Sequence, residues 1–176
     1  MKSGTQAGFQ LHVLNLCWTD FRYRYTTEEV WPILAEVSLD NPAFLIDETD
    51  IRLYDWQHQE IWLTSLTMTR LHEAGGVRLL RDAVGRAFIV TLNHERLYGG
   101  LFYDPGGAAA IRFPVIHSLG EPVEVLRIRP ALGSGWEPDS PHFAAQCQAI
   151  ADPSIFTRLA ERNLLGTPAA GNPGAG

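Results

Sequence analysis

The chain has 176 residues, 45% hydrophobic and 19% charged, enough material for one ordinary domain with a core; this excludes disorder except at the ends. Its net charge of -6 disfavours nucleic acid, whose binding rests on neutralising phosphates with lysine and arginine. No apolar run approaches the roughly 18 residues that span a bilayer, so no transmembrane segment is expected.

Residues 1–8 are small and polar and are expected to be a flexible N-terminus. The following stretch, FQLHVLNLCW, lacks an uninterrupted apolar run because Gln10, His12 and Asn15 break it, and no small-residue cleavage site follows. The expected compartment is cytoplasmic, or extracytoplasmic if a signal peptide has been removed. Phe9 to Cys17 reads as a central strand, with Leu14 and Leu16 on one side and Leu11 and Val13 on the other. Phe21-Arg22-Tyr23-Arg24-Tyr25 alternates strictly and predicts either one long bent strand or two strands joined near Trp18-Thr19-Asp20. Thr26-Thr27-Glu28-Glu29 is a hydroxyl cap followed by acids, and Val30, Leu34 and Val37 keep helical spacing. Pro32 falls early enough to be tolerated, and the helix stops before Asn41-Pro42.

Ile51 to Trp56 and Ile61 to Thr64 flank a polar turn and predict a hairpin. Ser65 caps a helix with Met68, Leu71 and His72 on one face. Gly75-Gly76 ends it, and Val77 to Val84 adds a further turn of helix. Phe88, Val90 and Leu92 alternate with their neighbours, Asn93 to Glu95 interrupt, and Leu97, Leu101 and Tyr103 resume, the pattern of a second hairpin. The pair Gly99-Gly100 inside its second strand marks a bulge or a close backbone approach. Asp104 to Gly107 is a turn, and Ile111, Phe113 and Val115 make a third antiparallel strand. Val123 to Ile128 is another strand closed by Pro130, followed by a loop from Gly133 to Asp139. Ser140-Pro141 and Asp152-Pro153 open two helices, running to about Ile150 and Leu165. The second buries Ile155, Phe156 and Leu159, and Gly166 stops it. Residues 167–176 cannot pack and are expected to be a disordered tail.

These elements predict an α+β domain over 9–166: an antiparallel sheet of roughly five to eight strands built from hairpins, with helices packed mainly on one face.

Candidate chemistry is sparse. Asp47 to Asp50, followed by Asp55, His58 and Glu60, could hold a metal or share proton transfer. The spacing does not match a calcium loop, and a polar turn entering a strand explains the same residues. His94 and His117 lack HExxH, CxxC or HxH context, so no metal site is expected and no cofactor is implied. Ser65, Ser118, Ser140 and Cys147 lie outside any nucleophile elbow. Cys17 and Cys147 read as two buried thiols. The strongest functional hint is aromatic. If Ile51, Leu53, Ile61 and Leu63 face the core, Tyr54, Trp56 and Trp62 face outward, with Tyr98 in the neighbouring hairpin. The alternative is a hairpin covered on both sides. The favoured function is a non-catalytic binding or protein-interaction domain using an exposed aromatic surface or a sheet edge. The runner-up is a small hydrolase or metal-dependent enzyme centred on Asp50, Asp55 and His58. The sequence names neither the partner, whether protein or small ligand, nor the oligomeric state.

Asp50-Ile51, Ile61-Trp62-Leu63-Thr64, Phe88 to Leu92, Asn93 to Tyr98 and Pro114-Val115-Ile116 occur in an order that resembles the periplasmic head of the SecD protein-export subunit over residues 44–116. The resemblance implies an interaction module in an extracytoplasmic setting. SecD's transmembrane bundle has no counterpart in the sequence, so no export activity is implied.

Overall fold

The computed structural model describes residues 8–21, 24–81, 85–103, 111–131 and 140–168. Eight strands form one sheet: β1 (Phe9–Cys17), β2 (Phe44–Asp47), β3 (Ile51–Asp55), β4 (Glu60–Leu63), β5 (Arg86–Leu92), β6 (Glu95–Phe102), β7 (Val115–Leu119) and β8 (Val125–Arg129). Their order is β2-β1-β5-β6-β7-β8-β4-β3. Every pair is antiparallel except β6 with β7. Among the described residues five helices accompany the sheet: α1 (Thr27–Glu36), α2 (Ser65–Glu73), α3 (Val77–Arg81), α4 (Pro141–Ile150) and α5 (Pro153–Glu161). The architecture is α+β. No described helix is long and apolar enough to cross a membrane.

The sheet curls strongly. On a flat sheet β1 and β3 would stand roughly 29 Å apart, six strand spacings. Instead the Phe9 and Tyr54 rings meet edge to face with centroids 6.1 Å apart. The concave face holds the larger core: Phe9, Leu11 and Val13 of β1, Phe88 and Val90 of β5, and Leu126 and Ile128 of β8. Leu71, Leu80, Ile150, Ile155 and Leu159 bring α2, α3, α4 and α5 against it. The convex face carries a second core of Leu14, Ala87, Ile89, Leu101 and Val115, covered by Val30 and Leu34 of α1. Helices therefore contribute to both cores.

Local chemistry explains most boundaries. Thr26 caps α1 with a full capping box: its hydroxyl accepts from the Glu29 N–H, while the Glu29 carboxylate accepts from the Thr26 N–H. At the other end of α1 the Arg96 guanidinium donates to the carbonyls of Leu34 and Val37, placing a cation at the negative helix end. Asn93 and His94 take φ of 49° and 71°, the double left-handed turn of a tight hairpin. Pro141 and Pro153 occupy first-turn positions behind the Ser140 and Asp152 caps.

Several expectations need correction: Thr64, not Ser65, caps α2, and Phe156 of α5 is exposed rather than buried. Trp18 to Phe21 is a 3-10 helix, so the strand does not continue through Phe21; Arg22 and Tyr23 lie outside the described residues. A short edge strand, β2, precedes the acidic turn and was unmarked by any alternation. Ile111 and Phe113 are not part of the third strand, which begins at Val115 and runs parallel to β6. Helix α5 ends at Glu161, because Asn163 turns left-handed at φ 56°. Leu164 to Gly166 then run beside β3: the Tyr54 N–H donates to the Leu164 carbonyl and the Gly166 N–H to that of Tyr54. The expected turn at Asp104 to Gly107, the loop from Gly133 to Asp139, Val84, residues 1–7 and the tail from Ala169 onward also lie outside the described residues.

Candidate functional site

The aromatic face anticipated on β3 and β4 does not form as a unit, and a bulge is the reason. Between Ile51 and Leu53 the β3–β4 register shifts, so Tyr54 pairs with Ile61 while Leu53 pairs with Trp62. One extra residue reverses every later side chain. Tyr54 thus turns inward with Ile61 and is fully buried at 0% exposure. Its hydroxyl donates to Gln59 Oε1 at 2.7 Å, and burial pushes its pKa well above the ordinary phenol value. Trp56 is half-buried between Tyr54 and Phe156, with ring centroids 5.8 and 5.3 Å away. Trp62 is half-buried on the convex face beneath the Arg52 guanidinium, 5.4 Å from its ring.

The acidic candidates separate as well. Asp50 is buried and accepts from the Asp47 N–H, the Thr67 hydroxyl and Arg70, which ties the turn before β3 to α2. Asp55 lies at the opposite end of β3, roughly 15 Å away at strand rise. It accepts from the His58 N–H and contacts His58 Nδ1 at 2.8 Å. Burial raises the Asp55 pKa, but the His58 hydrogen bonds outweigh it and leave the carboxyl below its usual range. Asp55 and His58 close the hairpin turn, with no nucleophile or third ligand beside them: among the described residues no group of three or more His, Cys, Asp or Glu is placed to hold a metal. Cys17 and Cys147 are both half-buried thiols, not bridged to each other, and burial pushes the Cys147 thiol up.

The concave feature with a distinctive lining lies elsewhere, at the junction of β6 and β7. A cleft of about 200 Å³ is bounded by Thr27, Glu28 and Trp31 of α1, by Leu97, Tyr98 and Gly99 of β6 with Pro114, and by His142, Ala145, Gln146 and Ala149 of α4. Its walls come from elements that cover opposite faces of the sheet, so its floor is the strand edge between them. At the rim His142 Nδ1 meets Glu28 Oε1 at 3.1 Å, joining α4 to α1. The Glu28 backbone N–H, against the opposing effect of burial, and then the His142 ring hold the Glu28 carboxyl below its usual range. Burial keeps the Tyr98 phenol protonated, well above its ordinary pKa.

The edge is open for a definable reason. The Leu101 N–H donates to the Pro114 carbonyl and the Tyr103 N–H to that of Ile116, so odd-numbered amides of β6 face β7. The same alternation turns the N–H and carbonyl of Gly99 that way. The next rung of the parallel ladder would need an N–H at residue 114, which proline lacks. Upstream the chain leaves for α1, where the Arg112 N–H donates to the Tyr25 carbonyl. Among the described residues the ladder therefore spans Leu101–Val115 and Phe102–Ile116. The glycine pair permits both approaches: a Cβ on Gly100 would lie 1.7 Å from the Pro114 carbonyl, and one on Gly99 2.8 Å from the Leu34 side chain. Gln146, in the α4 wall, is buried; its Oε1 accepts from the Ala131 N–H, and its Nε2 has no acceptor.

Of the binding and catalytic residues anticipated from sequence, Tyr98 alone is among those lining this cleft. Trp31, Pro114 and the α4 residues were missed because nothing local relates positions so far apart, although Gly99-Gly100 did mark the close approach. No family model matches the chain, and neither a curated protein nor a solved structure matches it.

Proposed function

We propose that this protein is a non-catalytic binding domain whose site is the cleft between α1 and α4 over the open edge of β6. The observation that carries this reading is the strand edge left unpaired by Pro114 at the floor of a mainly apolar cleft. Apolar cavities of ~150 Å³ accept benzene, so this cleft suits one aromatic or branched aliphatic group. The separation of Asp50 from Asp55 and His58 removes support for an acidic catalytic centre, and the likeness of residues 44–116 to the SecD head adds nothing to the site.

Benzyl alcohol, which has the size of the cleft, is a direct probe. Titrated into labelled protein, it should shift the Trp31 indole and the Leu97, Gly99 and Ala149 amides together. Ala145 is exposed on α4, so Ala145→Trp fills the cleft without touching the core and should abolish those shifts. Shifts elsewhere, or none, would overturn the assignment.

A further inference from the structure

We infer that the natural occupant of this cleft is an extended, uncharged peptide segment that adds as a short strand to β6 and seats one apolar side chain beside Trp31. The inference rests on the cleft being a binding site and names what it binds.

Hydrogen bonding points to a peptide. An open strand edge offers alternating N–H and carbonyl groups, which a second extended backbone matches and a hydrocarbon does not. Gly99 presents one such pair toward the cleft, and among the described residues no main-chain group beyond β5 takes either. One peptide residue laid against Gly99 would accept from its N–H and donate to its carbonyl, replacing the rung that Pro114 cannot supply.

Size and charge narrow the occupant. About 200 Å³ holds one side chain and its flanking backbone, not a folded element. Among the described residues the acid and the histidine on the lining are Glu28 and His142, already in contact with each other. Among the described residues no unpaired cation lines the cleft to receive a carboxylate, so an internal segment fits and a free C-terminus does not.

The test compares three probes by amide and indole chemical shifts: acetyl-Ala-Phe-Ala-methylamide, the same peptide N-methylated at phenylalanine, and benzyl alcohol. The N-methyl group removes the donor to the Gly99 carbonyl and keeps the side chain. The plain peptide should move the Gly99 amide and Trp31 indole, and N-methylation should weaken binding roughly fivefold or more, the value of about one hydrogen bond. Equal binding of the two peptides, with benzyl alcohol also seated at Trp31, would overturn strand addition and leave the binding site standing. If none of the three perturbs the cleft, both readings fall.

Discussion

The two halves of the sheet are built differently. β1, β5 and β6 are packed on both faces, with the large core on the concave side and α1 on the convex side. β8, β4 and β3 have the large core on one side only. Their convex side carries Leu53, Trp62, Arg127 and Arg129, bridged by Glu60–Arg127 and Arg52–Glu124 contacts of 2.6 and 3.2 Å. Among the described residues no helix places a buried side chain there. The sequences differ accordingly. Ala87 to Leu92 is an almost continuous apolar run, whereas Val125-Leu126-Arg127-Ile128-Arg129 alternates, as expected for two-sided and one-sided burial. The parallel β6–β7 junction joins the two regimes, and the cleft opens beside it.

The sharpest way to break this comparison is a charge in the doubly covered half. Val90→Asp would strand an unpaired carboxylate in the concave core and should cost about 4 kcal/mol or more, so that no cooperative melt survives. A soluble Val90→Asp variant with a normal thermal transition would contradict the two-sided packing.

Truncating equivalent aliphatics on the convex face measures the asymmetry itself. Ile89→Ala, beneath α1, should cost about 3 kcal/mol, while Leu53→Ala should cost about 1 kcal/mol. Urea melts of both variants decide it, and equal losses would mean that the convex face of β3 is as well covered as that of β5.

A pH titration probes the same covered face through His12. This histidine is buried, contacts the Thr91 hydroxyl at 3.2 Å, and has its pKa lowered to about 4 by burial and then by Arg96. Below about 6.5 the unfolded chain takes up a proton that the folded chain refuses. Stability should therefore fall as pH drops from about 6.5 toward 4, by about 2–3 kcal/mol in all. His12→Gln should flatten that slope relative to the parent, and an unchanged slope would show that His12 titrates normally.

The smallest effect belongs to the convex ion pairs. Arg127→Ala removes the partner of Glu60 from a partly exposed site and should cost about 1 kcal/mol, measured as a Tm shift of roughly 2–4 °C. A drop several times larger would mean that these charges hold the half together.

Where alternation, caps and turns act within a few residues, the chain was readable. The Thr26–Glu29 capping box, the Asn93-His94 turn and the two Ser/Asp-Pro helix starts all appear where their local chemistry demands. Legibility failed where a single event changed a phase or a partner. The bulge after Ile51 moved Tyr54 into the core, and no residue type near Arg52 announces it. The parallel pairing of β7 depends on where the chain returns after β6, which side-chain pattern does not encode. The cleft was invisible for the same reason: residues from Thr27 to Ala149 meet only after the sheet has curled. Gly99-Gly100 and Pro114 were the signals present, a close approach and a missing donor, and they became a site only once the topology placed them side by side.

Glu48 joins the two ends of the chain. Its buried carboxylate accepts from the Phe9 N–H and from Arg158 and Arg162, at 2.8, 2.6 and 2.9 Å. One acid thus ties the first strand to the last helix, and the segment just beyond that helix closes the outer edge of β3. On the ribosome β1 and β3 emerge long before Arg158, Arg162 and Leu164 to Gly166 are made. Throughout that interval the nascent sheet has neither its latch nor its edge cover, and it is then that a chaperone would find an unpaired strand to hold.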